Sequence, residues 1–502
     1  MKKLTLKNIV TCSAIFLLSA ALFSCGQKKA DTNVFRMNLS SEPDSFFPWK
    51  SSAADTKAIL YNIYEGLTTF DKTGAIKPCL AKSYSSSSDG LTYTFKLRDD
   101  VYFHNGKKLT GSDVLYTYKN LAGLDGLTAT SDEMKIIKNA YLKDESTFVV
   151  ELKQSTASFL SFAIQPILQE GYQDNESQPN GTGPYKFSKY VIHQKVILEK
   201  NENYWNKTSE PTINRIELYI MSDEAALISA LRSDQLDMIQ LISAKNAKAL
   251  EGDFEYISYP QNMVQIFAMN NAIEPFNNPK VRKAITLAVN KHEIIEGALD
   301  GAGTELYSNF SPVLRVFYNE KLTGLNPYDI KKAKELLREA GYEKGFNLKI
   351  KVPSNYTVHV DTAQIIAKQL AEIGIKAEIE GIEWGTWLND VYTNKDFEAT
   401  VIAFGGKLEP NDILKRYSSS YKRNFVGFNN SEYDQKLNAA LTELNESKRI
   451  KLYKDCQQIL AEECPCVFIS DPNNTVLKKH NLRGFTYYPV SFYDFSKLYY
   501  SN

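Results

Sequence analysis

The chain predicts a mixed α/β protein, and three observations carry that expectation. A strand–helix–strand pattern occupies residues 346–382. A near-continuous apolar run from Ala399 to Phe404 reads as a central strand. At 43% hydrophobic and 24% charged, 502 residues are enough for two or three domains with cores of their own. "FNLKIKV" alternates Phe346, Leu348, Ile350 and Val352 as a half-buried strand does. "DTAQIIAKQLAEIG" then sets Ile366, Leu370 and Ile373 on one helix face and stops at Gly374, and "IKAEIEGI" alternates again through Ile375, Ala377 and Ile379. A right-handed crossover makes the two strands parallel. A strand buried on both faces reads as Ala399 to Phe404 does.

Taken from the N-terminus, Lys2, Lys3 and Lys7 precede an uncharged, mostly apolar stretch from Ile9 to Phe23. That stretch is shorter than the ~20 residues of a membrane span and suits the h-region of an export signal. Its ending, Leu22-Phe23-Ser24-Cys25, resembles the bacterial lipobox, which implies cleavage before Cys25 and a lipid anchor on its thiol. A plain secretory signal is the competing reading. Gly26 to Thr32 reads as a solvated tether. The expected location is the cell envelope, anchored to a membrane and facing the periplasm or the exterior.

Further along, Tyr93, Phe95 and Leu97 alternate as a strand, and Thr110 with Asp113 has capping-box spacing at a helix start. A second helix follows Asn278-Pro279, with Val281, Ala284, Ile285, Ala288 and Val289 on one face. In a third, Asp329 is the cap, Ala333, Leu336, Leu337 and Ala340 share a face, and Gly341 supplies the left-handed residue that ends it.

Composition excludes several functions. The 59 basic residues balance 59 acidic ones, which leaves no electrostatic footprint for nucleic acid. The 30 Tyr and 26 Phe favour a binding cleft, since tyrosine suits surfaces partly wet and partly apolar. Beyond the signal and Cys25, the thiols are Cys79, Cys456, Cys464 and Cys466. They read as buried thiols or as a structural bridge of Cys456 with Cys464 or Cys466. His104, His193, His292, His359 and His480 include no pair at i, i+4, so no metal site is expected, and His359 is the one nearest a candidate loop. No G-x-S-x-G, H-E-x-x-H or Walker A motif occurs, so no catalytic residue and no cofactor is expected. Ligands of open α/β sheets bind beyond the carboxyl ends of the strands, which singles out the loops Pro353 to Tyr356 and Gly405 to Asn411. In the second loop, two glycines either open the backbone to close approach or merely serve a turn.

"NLSSEPDSFFPW", "NIYEGLTTFD", "KPCLAKSYSSSSDGLTYTFKLRDDVYFHNGKKLTGSDV", "PNGTGPYKFSKY", "LEKNENYW", "EPFNNPKVRKAITLAVNK" and "YDIKKAKELLREAGY" occur in the order seen in the bacterial extracellular solute-binding protein family 5, and the chain resembles it from about Phe35 onward. The resemblance implies a two-lobed periplasmic-binding-protein-like fold (type II, cluster C) with an extra domain inserted in the first lobe. The implied division is 1–24 signal, 25–33 lipidated cysteine and tether, 34–76 with 196–272 and 472–502 as the main part of lobe 1, 77–195 as the inserted domain, and 273–471 as lobe 2. The implied function is a peptide receptor of an ABC importer, a monomer whose partners are its solute, permease subunits and, through the anchor, a membrane. A non-peptide solute (an anionic compound, a glycan or a chelated metal) and a surface adhesin or sensor are the alternatives.

Peptide receptors of this family anchor the ligand amine on an aspartate shortly after a tryptophan. Here "AFGGKLEPND" puts Phe404 at the tryptophan and Lys407 at the aspartate, which reverses the charge. Dipeptide receptors hold the carboxylate with an arginine after the first strand of the βαβ unit, where this chain has Pro353 and Ser354. Three readings follow. Glu409 replaces the amine partner; or a longer peptide pairs with the Glu42 to Phe46 loop and the Ala403 to Gly405 strand; or Lys407 recognises a non-peptide, with Trp384 and Phe404 as stacking surface. The expected ligand-binding residues are therefore Glu42, Ser45, Phe46, Trp384, Phe404, Gly405, Gly406, Lys407 and Glu409.

Overall fold

The computed structural model of the protein describes residues 33–51 and 53–501; the export segment and Cys25 lie outside the described residues. Its spine is a twelve-stranded mixed sheet in two halves that share one long strand, Cys466–Lys478. In the first half, Val34–Leu39 runs parallel to Arg215–Ile220, and the hairpin of Lys195–Lys200 with Tyr185–Val191 extends that edge. Met238–Gln240 and Glu255–Pro260 pair with the far end of the long strand. In the second half, Met263–Met269 lies between the near end of the long strand and Ala399–Gly405.

The βαβ unit forms as the periodicity predicts. Asn347–Pro353 and Lys376–Ile382 are parallel, with Leu348 opposite Ala377 and Ile350 opposite Ile379. The helix Thr357–Ala371 connects them and buries Ile366 and Leu370 beneath Leu348, Ile350 and Val352 in one apolar core. Ala399–Gly405 pairs with Asn347–Pro353 only at Ile350 and Lys351, so the two strands splay toward their carboxyl ends. Trp387 packs at this splay, its Nε1 donating to Thr400 Oγ1 at 2.9 Å.

Helix starts follow their cap residues. Thr110 and Asp113 close a reciprocal capping box on Gly111–Ala122, Asn278 caps Pro279–Ala288, and Asp329 accepts from Lys332 N at 2.9 Å at the head of Ile330–Glu339. Gly341 ends the last of these at φ +87°. Cys79, Cys456, Cys464 and Cys466 are all free and buried, so no bridge joins Cys456 to Cys464 or Cys466. The last two thiols flank a turn in which Cys464 itself takes φ +49°.

The inserted domain is a four-stranded antiparallel sheet, Ala81–Ser86, Thr92–Leu97, Thr147–Leu152 and Ile137–Asp144, closed by Gly111–Ala122 over Phe95, Tyr118, Phe148 and Phe159. Two strands fall across the boundaries expected from sequence. Tyr185–Val191 belongs to the first half of the large sheet, because it is one arm of a hairpin whose other arm begins at Lys195. Met263–Met269 belongs to the second half, held by ladders on both edges.

Among the described residues, the chain crosses between the halves twice, at residues 260–263 and within Cys466–Lys478. Asp471 sits at the meeting point and is fully buried. Its Oδ1 accepts from Gln261 N at 3.2 Å and Met263 N at 3.1 Å, and its Oδ2 accepts from Ser311 Oγ at 2.5 Å. Between those two amides, Asn262 takes φ +60°, a conformation that asparagine tolerates better than most residues. Burial pushes the Asp471 carboxyl up to about 7 in spite of these donors. A folded-state value above the unfolded one means that stability falls as pH rises from about 4 to about 7. The difference in unfolding free energy between wild type and Asp471→Asn should therefore change by up to roughly 4 kcal/mol across that window. Denaturant unfolding at a series of pH values measures it, and a pH-independent difference would contradict the assignment.

Candidate ligand-binding cleft

The second lobe brings its loop 405–409 to the crossing point. Gly406 N donates to Asn262 O at 2.5 Å, and Asn262 Nδ2 donates to Pro489 O at 2.7 Å and to Lys407 O at 3.4 Å. A Cβ on Gly406 would lie 2.0 Å from the Asn262 side chain, whereas one on Gly405 would meet nothing within 4 Å. The first glycine of the pair thus faces open space, and the second is required by close packing. Gly406→Ala should cost ~1–3 kcal/mol and Gly405→Ala almost nothing, by the ordinary cost of overpacking. Equal thermal stability of the two variants would refute this division.

A cavity of about 380 Å³ opens against this loop. Lys57 and Tyr61 of the first lobe, Ser161 and Gln165 of the inserted domain, and Lys407 and Glu409 of the second lobe line it. A second cavity of about 330 Å³ continues from it past Trp49, sharing Lys57, Tyr61, Glu133 and Gln165 as walls. Together they form one groove reaching from the second lobe across the first.

Phe404 does not line either cavity; it packs beside Tyr392, Phe425 and Arg416, whose guanidinium lies 4.9 Å from its ring centre. Arg416 Nη2 donates to Gly405 O at 3.1 Å, so the carbonyl at the exposed end of this strand is already an acceptor. Trp384 is stacked on Trp387 at 5.3 Å, and Trp387 on Tyr392 at 6.0 Å. Trp384 and Phe404 therefore belong to one aromatic row without touching.

Glu409 is buried. It caps the short helix Pro410–Leu414 and accepts from Tyr453 OH at 3.1 Å and Ser161 Oγ at 3.5 Å. Burial raises its pKa. Beside it the inserted domain touches the second lobe directly: Ala157 N donates to Leu441 O at 3.1 Å, and Arg449 Nη1 donates to Ala157 O at 2.8 Å. Glu409 is thus part of an inter-domain contact, not a carboxylate held free for an incoming amine.

Glu42, Ser45 and Phe46 do not line the groove. Glu42 accepts from Tyr190 OH and pairs with His193 Nδ1 at 2.6 Å, and the Tyr190 bond, ahead of His193, lowers its pKa. Ser45 Oγ and Phe46 N both donate to Glu176, at 2.6 and 3.2 Å. Phe46 is packed on Phe187 and Tyr190 in the first-lobe core. The segment reaches the groove only later, through Trp49. The other candidate loop is also occupied by its own bonds: Ser354 donates twice to Ile382 O. His359 lies buried against Gln265, its pKa pushed down to about 4 by burial. Among the described residues, no group of three or more His, Cys, Asp or Glu side chains could hold a metal ion.

Sequence reasoning missed Trp49, Lys57, Tyr61, Ser161 and Gln165. Of these, only Trp49 stood in a segment that had been singled out. The others reach the groove through packing of the inserted domain on the first lobe, which no local pattern encodes.

The model for bacterial extracellular solute-binding proteins, family 5 (its middle region), matches residues 75–425, more than half of the chain. The chain belongs to this family. It is 26% identical over 478 residues to the oligopeptide-binding protein AppA of Bacillus subtilis, covering 89% of this chain and 87% of that one. It is 28% identical over 513 residues to heme-binding protein A of Haemophilus influenzae, covering 93% and 92%. HbpA2 from Haemophilus parasuis superposes on it with a TM-score of 0.85 at 23% identity, covering 94% of this chain and all of that one. The two-lobed fold follows, and so does the broad role: family 5 proteins are extracytoplasmic binding components of ABC importers for peptides or related solutes, not enzymes. Among the described residues, no helix is long and apolar enough to cross a membrane.

Proposed function

We propose that this chain is the lipid-anchored receptor of an ABC importer. It captures peptides by closing its lobes about the crossing at Asn262 and Asp471, and delivers them to permease subunits. One observation carries the proposal: the groove has walls from both lobes and from the inserted domain, so whatever fills it bonds to parts that can move relative to one another. Binding shifts the population toward closure as far as cargo prefers the closed walls. The oligopeptide-binding relative supports peptide as cargo, and a groove of this size suits a short one. With Gly405 O already accepting from Arg416, side chains and cavity walls hold the cargo more than strand addition does. Cys25 carries the anchor, and the protein works as a monomer.

The test is to purify the full-length protein in detergent, denature it, and identify the small molecules released by mass spectrometry. Short peptides are the expected result; a uniform non-peptide solute would overturn the peptide reading. In the same cells Cys25→Ala should move the protein from the membrane to the soluble fraction, and an unchanged membrane fraction would contradict the anchor.

A further inference from the structure

The groove's charges are satisfied unequally. On its walls, Asp412 is paired with Lys415 and Asp132 with Lys135, while Glu133, which forms no ion pair among the described residues, accepts from Ser131 Oγ at 3.1 Å. Glu409 is engaged by Tyr453 and Ser161. The cations differ. Lys57, exposed on the helix Ala54–Leu60 of the first lobe, and Lys407, exposed on the second, face the same cavity, and neither forms an ion pair among the described residues. Arg416, bound to the Gly405 carbonyl two residues before Lys407, likewise forms no ion pair among the described residues, though Asp412 lies near enough to act on its charge. Its Nη1 is buried without an acceptor.

We propose that the cargo is recognised through a carboxylate held between Lys57 and Lys407, so that one anion bridges the two lobes. Resting on the groove being the ligand site, this names the chemistry that the site selects. Two like charges on opposite walls repel when the lobes approach, and a carboxylate between them turns that repulsion into two charge-assisted hydrogen bonds. A ligand ammonium meets the opposite situation at this position: Lys407 opposes it, and Glu409, the buried carboxylate on the same wall, already has its donors. The Lys407 backbone is fixed by Asn262, so the charge is presented from a rigid loop. Arg416 adds positive potential behind the rim without occupying the cavity. The carboxylate comes either from a peptide C-terminus or from an acidic side chain, and the two share this site's chemistry.

Three pools of mixed-sequence tetrapeptides separate the sources: one with free ends, one N-acetylated, and one C-amidated, each offered to the full-length protein emptied of its cargo. The N-acetylated pool should be retained like the free one. From the amidated pool, only peptides containing Asp or Glu should be retained if side chains supply the anion, and none if the C-terminus does. Lys57→Gln with Lys407→Gln should weaken retention at least tenfold, and rising salt should weaken wild-type binding. Gln165→Trp, which plugs both cavities, should abolish retention of every pool. If Gln165→Trp abolishes binding and the lysine variant binds as wild type does, the anion inference falls and the groove stands as the ligand site. If both variants bind as wild type, the groove itself is excluded and both readings fall. Loss of binding on N-acetylation, or retention of no pool by wild type, also overturns the inference.

Discussion

The architecture depends on one buried carboxylate. Asp471 lies where the long strand passes from one lobe to the other, and it takes hydrogen bonds from two backbone amides of the only other described crossing segment. A buried carboxylate is expensive unless its lone pairs are used. Here Gln261, Met263 and Ser311 use them, and the arrangement fixes where the two crossing segments meet. Replacing it would loosen the point from which both lobes extend. The same few residues place the functional loop, because Asn262, wedged between the two donating amides, holds Gly406 and Lys407 by its own backbone and side chain. The proposed hinge and the proposed rim are thus built from adjacent atoms.

That adjacency explains why a side chain at Gly406 would meet Asn262 whereas one at Gly405 would face open space. It also explains how a lysine can stand where peptide receptors of the family are expected to carry an acid. The charge is on an exposed side chain whose backbone is independently secured, so its reversal leaves the fold undisturbed. The buried acid close by, Glu409, serves a different purpose. It joins Tyr453 of the second lobe to Ser161 of the inserted domain, beside the Ala157–Leu441 and Arg449–Ala157 bonds. The inserted domain is therefore a third wall of the cleft and not an appendage to the first lobe.

Much of the fold was legible because it is local. The alternation of Leu348, Ile350 and Val352, the helix face of Ile366 and Leu370, and the caps Thr110, Asn278 and Asp329 each express a period or a hydrogen bond within a few residues. The strand Ala399–Gly405 that leads into the Gly406–Lys407 loop was legible for a related reason, as a near-continuous apolar run. The placement of Glu42, Ser45 and Phe46 away from the groove was not legible, because their partners, Tyr190, His193, Glu176 and Phe187, are more than a hundred residues away. The pairing of Tyr185–Val191 with Lys195–Lys200 crosses the expected boundary at residue 195, because that boundary fell within a hairpin. Lys57 and Gln165 gave no signal at all; their place in the groove is a product of domain packing.

The central claim is that cargo draws the two lobes together about the Asp471 crossing. Spin labels at Lys245→Cys in the first lobe and Lys422→Cys in the second, both on exposed positions, would report the inter-lobe distance by pulsed electron resonance. The four native thiols described in these lobes are buried and compete little for the label. The account predicts a distribution that shifts and narrows when the emptied protein is given its eluted cargo. One distribution, unchanged with and without bound cargo, would contradict it.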